Sequence, residues 1–220
     1  MYPRIDDKFK KKHSYNYDMM KTNIMQNRMD KGTRMSVCKW FAFFLIGVFT
    51  GTTAFIMACL EDTLVDLRTE VADIILERTG GKVPVAWLFL ACWAAFWTSL
   101  ASVLTIYVGP GANGSGIAEI FAILNGVNYP KFVGWMSLLV KCTGVIFAIV
   151  GSLCIGKEGP LAHIGGIIAL CTIHCIPIEA FDFFKNDVSM REFLAGGVSA
   201  GVSAAFGAPI GGALFSYELS

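Results

Sequence analysis

Gly156-Lys157-Glu158-Gly159-Pro160 separates two apolar runs, and the reading of this junction decides the fold. Residues 142–156 carry no charge upstream and residues 159–178 carry none downstream, so Lys157 and Glu158 interrupt chain that otherwise reads as membrane-embedded. An ionisable residue at membrane depth costs about 2.5 to 3.5 kcal/mol on insertion scales and marks function by default. Pro160 explains the break, because proline is favoured in the first turn of a helix, and the glycines let backbone and ligand come close. One helix is therefore expected to stop here and another to start. The N-terminus of such a helix attracts anions, since its unpaired N–H groups carry roughly half a positive charge. Glu158 is the nearest competing anion. A solvated turn could use the same five letters, but the apolar flanks weigh against it. A phosphate loop is not expected, because the Gly-rich approach and the Ser/Thr after Lys are both missing.

Composition agrees with an all-α polytopic membrane protein. Hydrophobic residues make up 55% of the 220 and charged residues only 16%, well below the roughly 25% of soluble domains. Ten of the 18 Lys and Arg fall in residues 1–39 against four acidic residues, an excess of six that is expected to hold the N-terminus in the cytosol. Residues 1–36 are read as a basic cytosolic tail and residues 37–220 as the transmembrane part. Lys8, Lys10, Lys11 and Lys12 would then form a solvated tail rather than a lipid-binding patch. The seven cysteines are scattered through apolar runs, where a thiol behaves as a small hydrophobe. Cys171, His174 and Cys175 share a helical face but lack the spaced second ligand pair of a zinc motif, so no metal site is expected. Nor do the histidines and carboxylates form a nucleophile-base grouping, which argues against an enzyme; His163 is read as structural.

In chain order, Trp40–Leu60 is an uncharged run of membrane-spanning length, followed over 61–78 by an amphipathic continuation that should end at Gly80-Gly81. Val83–Val108 is a second span, in which Trp87, Trp93, Trp97 and Tyr107 suit either the membrane interface or the interior. The glycine-rich stretch from Gly109 to Gly116 then leads into a helix from about Ile117, repeating the logic of the central junction. Ser115 is expected to cap that helix, with Glu119 well placed in its first turn. Phe132–Gly156 is broken only by Lys141, which should face a polar cavity or a partner, such as an anion path. Residues 179–193 read as an aqueous loop. Ala195–Leu219 is dense in glycine and alanine, which lets membrane helices approach closely. Ala208-Pro209 is expected to start a second short helix there, with Glu218 near its end.

Three motifs, Gly114-Ser115-Gly116-Ile117-Ala118-Glu119, Gly156-Lys157-Glu158-Gly159-Pro160 and Ala204-Ala205-Phe206-Gly207-Ala208-Pro209-Ile210-Gly211-Gly212, together resemble the CLC family of chloride channels and chloride/proton exchangers. The resemblance covers residues 36–220, keeps the family's order and spacing, and is nearest in look to the eukaryotic intracellular branch. It implies the first of two inverted repeats, with broken and tilted helices. Further implications are chloride as ligand, no cofactor, a homodimer in the full-length form, and no nucleic-acid partner. Ser115 would match the serine at the central chloride, with Gly116, Ile117 and Gly159 supplying backbone around the ion. Glu158 would match the gating glutamate, whose carboxylate competes with chloride. Lys141 fits the family's lysine in the preceding helix.

Two departures bear on mechanism. Ala118 replaces the usual proline, losing a preset φ while keeping a good helix former. Leu219 stands where exchangers carry an internal proton-relay glutamate, with Glu218 one place earlier as a weaker candidate for a proton path. The expectation is a voltage- or pH-gated chloride channel, incomplete as given, with a chloride/proton antiporter or a non-conducting truncated subunit as alternatives. The resemblance leaves the plasma membrane and endosomal or lysosomal membranes equally open.

Overall fold

The computed structural model describes residues 32–127, 132–175 and 184–219. It is built from helices: α1 (Gly32–Arg78), α2 (Val83–Val103), α3 (Ile117–Leu124), α4 (Trp135–Val150), α5 (Glu158–Cys175), α6 (Asp187–Phe206) and α7 (Pro209–Leu219). α1 runs through both the first span and the amphipathic stretch. It stops where expected, at Gly80 and Gly81, whose positive φ values of 64° and 81° a side chain would oppose. α2 carries most of the second span, which widens into a π-helical turn at Leu104–Val108 and then tightens into a 3-10 turn at Pro110–Ala112. The helical stretches 36–78 and 83–108 are long and apolar enough to cross a membrane.

α5 is the centre of the molecule, buried without interruption from Leu161 to Leu170. It contributes to three apolar clusters: Leu161, Ile164 and Ile167 beside Met57 and Val150; Ala162 and Leu170 beside Ile120 and Leu194; and Ala169 and Ile173 beside Ile46 and Phe193. A helix packed on all sides must be apolar all round, which is why 159–178 shows no amphipathic stripe. Its closest neighbour is α6. A methyl group on Gly165 would stand 3.0 Å from the Gly201 amide nitrogen, so the backbones of α5 and α6 touch where side chains would hold them apart. By contrast, large apolar side chains on α1 and α2 point outward, among them Trp40, Phe55 and Trp87. An apolar exterior of this extent suits lipid.

Two boundaries differ from the sequence expectation. Residues 187–193 are the first turns of α6 rather than aqueous loop, capped by the Asn186 side chain, which accepts from the Ser189 amide at 2.9 Å. Their polarity belongs to a helix entrance, where Lys39 of α1 pairs with Glu192 at 2.5 Å. Residues 179–183 of the expected loop lie outside the described residues, as does most of the basic tail. The central break is also longer than expected, because α4 stops at Val150. Gly151 meets α2 there, a methyl group at that position standing 2.7 Å from Thr98 Cγ2. Ser152 follows in the left-handed region at φ 63° and hydrogen-bonds Arg68 of α1. The aromatic residues of the second span divide: Trp87 and Tyr107 are exposed, whereas Trp93 donates to the Val150 carbonyl at 3.2 Å and Trp97 packs on Phe147. Pro209 opens a separate helix as expected, after Gly207 turns the chain at φ 61°.

Candidate functional site

The site forms where the glycine-rich loop before α3 lies against the first turns of α5. Two contacts without side-chain bulk permit the approach. A methyl group on Gly159 would stand 2.8 Å from Ser115 Cβ and 3.5 Å from Ile117 Cδ1, and one on Gly116 would stand 2.6 Å from His163 Nδ1. Ser115, Gly116, Ile117 and Gly159 are thus brought together from two distant parts of the chain, with Glu158 adjoining as the first residue of α5. The Glu158 side chain turns back over Gly156, where any Cβ would collide with Oε2.

Ser115 is not the cap of α3. Gly116 takes that place, because φ of 85° there is open to glycine and closed to most side chains. Ser115 Oγ instead accepts from the Ile117 amide at 3.4 Å, and no described residue accepts its hydrogen. The first four N–H groups of a helix have no carbonyl one turn earlier, so the starts of α3 and α5 both present unpaired N–H groups. In α5 the helical bonds begin with the Leu161 amide on the Lys157 carbonyl, at 3.0 Å.

Lys141 is almost completely buried and binds the loop rather than a side chain, its Nζ donating to the carbonyls of Ala112 at 3.0 Å and Gly114 at 2.5 Å. It also borders a cavity of about 520 Å³, together with Ser115, Gly156 and Pro160 and the hydroxyl-bearing Ser102 of α2 and Thr105 of the π-helical turn. Those two hydroxyls are already spent on their own helix, donating to Thr98 and Ala101 carbonyls. The donors available to an anion are therefore the Ser115 hydroxyl, the Asn113 side-chain amide, the helix-start N–H groups and the Lys141 charge behind the loop. His163 is structural: its ring stacks on Phe132 at 3.9 Å and its Nε2 pairs with the Phe132 carbonyl at 3.2 Å.

Glu218 is exposed near the end of α7 and is not among the residues lining the cavity. No group of acidic, histidine or cysteine side chains among the described residues could hold a metal ion, and His174 Nδ1 is spent on the Leu170 carbonyl. The sequence reading missed Glu61, which is buried and pairs with Lys157 at 3.5 Å. Helical spacing carried the signal, since Thr50, Met57 and Glu61 recur on one buried face of α1.

The voltage gated chloride channel family model matches residues 97–220, more than half of the chain. Human H(+)/Cl(-) exchange transporter 7 is 36% identical over 193 residues, covering 84% of this chain and 24% of that protein. Chloride channel protein CLC-a of Arabidopsis thaliana is 36% identical over 199 residues, with 82% and 24% covered. A solved eukaryotic CLC transporter superposes with a TM-score of 0.73 at 26% identity, over 85% of this chain and 34% of that structure. The chain thus spans about a quarter of the length of the curated relatives it matches. With the family model matching more than half of it and relatives above 30% identity covering more than four fifths of it, this chain belongs to the voltage gated chloride channel family, as part of its membrane domain.

Proposed function

We propose that this chain supplies one half of a chloride pathway, with Ser115 and the starts of α3 and α5 as an anion site and Glu158 as its gate. The observation that carries the proposal is the contact of the Ser115 loop with the first turn of α5, made at Gly159. Two helix ends with unpaired N–H groups converge there on one hydroxyl, in a wall otherwise apolar enough to strengthen every electrostatic interaction. A carboxylate on Glu158 is attracted by the same helix end as chloride, so the two compete; protonation removes that attraction and clears the path. Lys141 supports the anion path at one remove, by fixing the loop and adding a positive charge behind it. Gly116 and Ile117 serve by their backbone.

The remaining parts of the proposal follow from the family. A second, inverted half completes the site, the full-length form is a homodimer, and residues 1–36 are a cytosolic tail ahead of the transmembrane part at 37–220. Passive conduction is the first reading, since Leu219 stands in place of the relay glutamate. Exchange for protons is the second reading, favoured by the similarity to proteins named as H(+)/Cl(-) exchange transporters; Glu218 would then carry the proton. Glu158→Ala in a full-length form is expected to abolish voltage- or pH-dependent gating of chloride current, and gating left intact would overturn the assignment. Proton movement measured alongside chloride flux separates the two readings, uphill proton transport deciding for exchange.

A further inference from the structure

Around the first turn of α5 from the anion site lies a second cavity, of about 390 Å³, between α1, α5 and α6. Gly156 and Pro160 line the first cavity, whereas Lys157 and Leu161, one position on, line the second. The first turn of α5 is therefore a wall between them. The second cavity holds Glu61, whose side chain is only 6% exposed. One carboxylate oxygen faces Lys157 Nζ at 3.5 Å, and the other has no hydrogen-bond partner among the described residues. The remaining walls named for this cavity are uncharged: Gly51 to Ala58 on α1, Leu161 on α5, and Ala204 and Ala205 on α6.

We propose that Glu61 is a positioning residue for the Glu158 gate, acting through Lys157, and that the pair sets how strongly the entrance attracts chloride. The inference rests on the reading of Glu158 as the gate. Lys157 is the residue whose carbonyl accepts the first helical hydrogen bond of α5, at 3.0 Å from the Leu161 nitrogen, so anchoring its side chain fixes where α5 begins. The segment before it, Cys154 to Gly156, is exposed and outside any helix, leaving the link to α1 as the brace on that side. The charge balance follows from the same pair. Around the gate stand Lys157 next in the chain, Lys141 behind the Ser115 loop, Glu119 in the first turn of α3, and His163 one turn along α5. Glu61 is the carboxylate that offsets Lys157; Asp62 beside it is exposed. Neutralising Glu61 leaves Lys157 uncompensated at the mouth, whereas neutralising Lys157 removes the attraction itself. The two changes act in opposite directions.

The test uses the full-length protein, recording chloride current while external chloride is replaced by gluconate. Glu61→Gln is expected to lower the half-saturating chloride concentration, and Lys157→Gln to raise it, each by about two- to fivefold, the range of a partly exposed ion pair. In the Lys157→Gln background the effect of Glu61→Gln should shrink, and Glu61→Asp, which keeps the charge, should restore wild-type behaviour. A purely structural Glu61 would change the amount of protein at the membrane without opposite shifts in chloride dependence. Should Glu61→Gln fail to reach the membrane, an unchanged half-saturation in Lys157→Gln overturns the proposal. So does a wild-type chloride dependence in Glu61→Gln while Glu158→Ala abolishes gating. Gating preserved in Glu158→Ala would instead sink the assignment of the gate itself.

Discussion

The starts of α3 and α5 are made from similar residues, a glycine-containing break followed by a polar step into an apolar helix, yet they are held in different ways. The α3 loop is gripped from behind by Lys141, one buried ammonium on two backbone carbonyls. The start of α5 is braced from the side by a longer ion pair, Lys157 with Glu61, half exposed at one end and buried at the other. The first arrangement makes a fixed surface, because a buried ammonium released from its acceptors has no water to replace them. The second leaves the start of α5, which carries Glu158, braced more lightly. In the proposed function a fixed binding wall faces a carboxylate held on the lighter brace, as competition between a carboxylate and an ion requires.

Removing the stronger hold should do the most damage. Lys141→Met keeps length and apolar packing while deleting two charge-assisted hydrogen bonds, worth about 1.5 to 3 kcal/mol each. Relief from burying a charge offsets part of this, but the Ala112 and Gly114 carbonyls are left unpaired, so the balance stays destabilising by roughly 3 kcal/mol. Thermal denaturation of the full-length protein in detergent measures it. An unchanged melting temperature together with a lost chloride current would mean that Lys141 serves the ion and not the loop.

The glycine contacts again separate the two starts. Gly116→Ala meets the His163 ring and must also hold φ of 85°. The left-handed backbone alone costs about 1 to 2 kcal/mol, with overpacking adding about 1 to 3 kcal/mol. Gly159→Ala has only the overpacking, against Ser115 Cβ at 2.8 Å. Pairing Gly159→Ala with Ser115→Gly should therefore recover most of the lost stability, whereas pairing Gly116→Ala with His163→Ala should not, since the backbone strain remains. Equal rescue in both pairs would mean that backbone strain at Gly116 does not set the two starts apart.

Much of this was legible in the sequence, for identifiable reasons. The break at 156–160, the helix from Ile117 and the second short helix from Pro209 are dictated by proline and glycine chemistry, which is local. The meeting of Ser115 with Gly159 depends on how two distant segments pack, and only the resemblance to a family anticipated it. Residues 187–193 misled because an amphipathic helix entrance and an aqueous loop have the same composition; the Asn186 cap was the distinguishing mark. Glu61 was hidden among Asp62, Asp66 and Glu70, all exposed neighbours on the same helix. Lys141 was recognised as misplaced in an apolar run, but its backbone acceptors could not be read from side-chain letters.

The smallest effect belongs to the ion pair with the better geometry. Lys39 and Glu192 join α1 to the entrance of α6 at 2.5 Å, closer than the 3.5 Å of Lys157 and Glu61. Distance alone would rank the first pair higher, but both its side chains keep about a third of their surface in contact with solvent, at 31% and 39%. Water then replaces whichever partner is lost, and such pairs contribute about 0 to 1 kcal/mol. Lys39→Ala should lower the melting temperature by a degree or two at most and leave chloride dependence untouched. Lys157→Gln strands a carboxylate that is 6% exposed, and should destabilise the protein more despite the longer separation. Melting both variants side by side ranks burial against distance directly. A larger loss in Lys39→Ala would mean that the link between α1 and α6, and not the braced start of α5, carries the tension in this half of the domain.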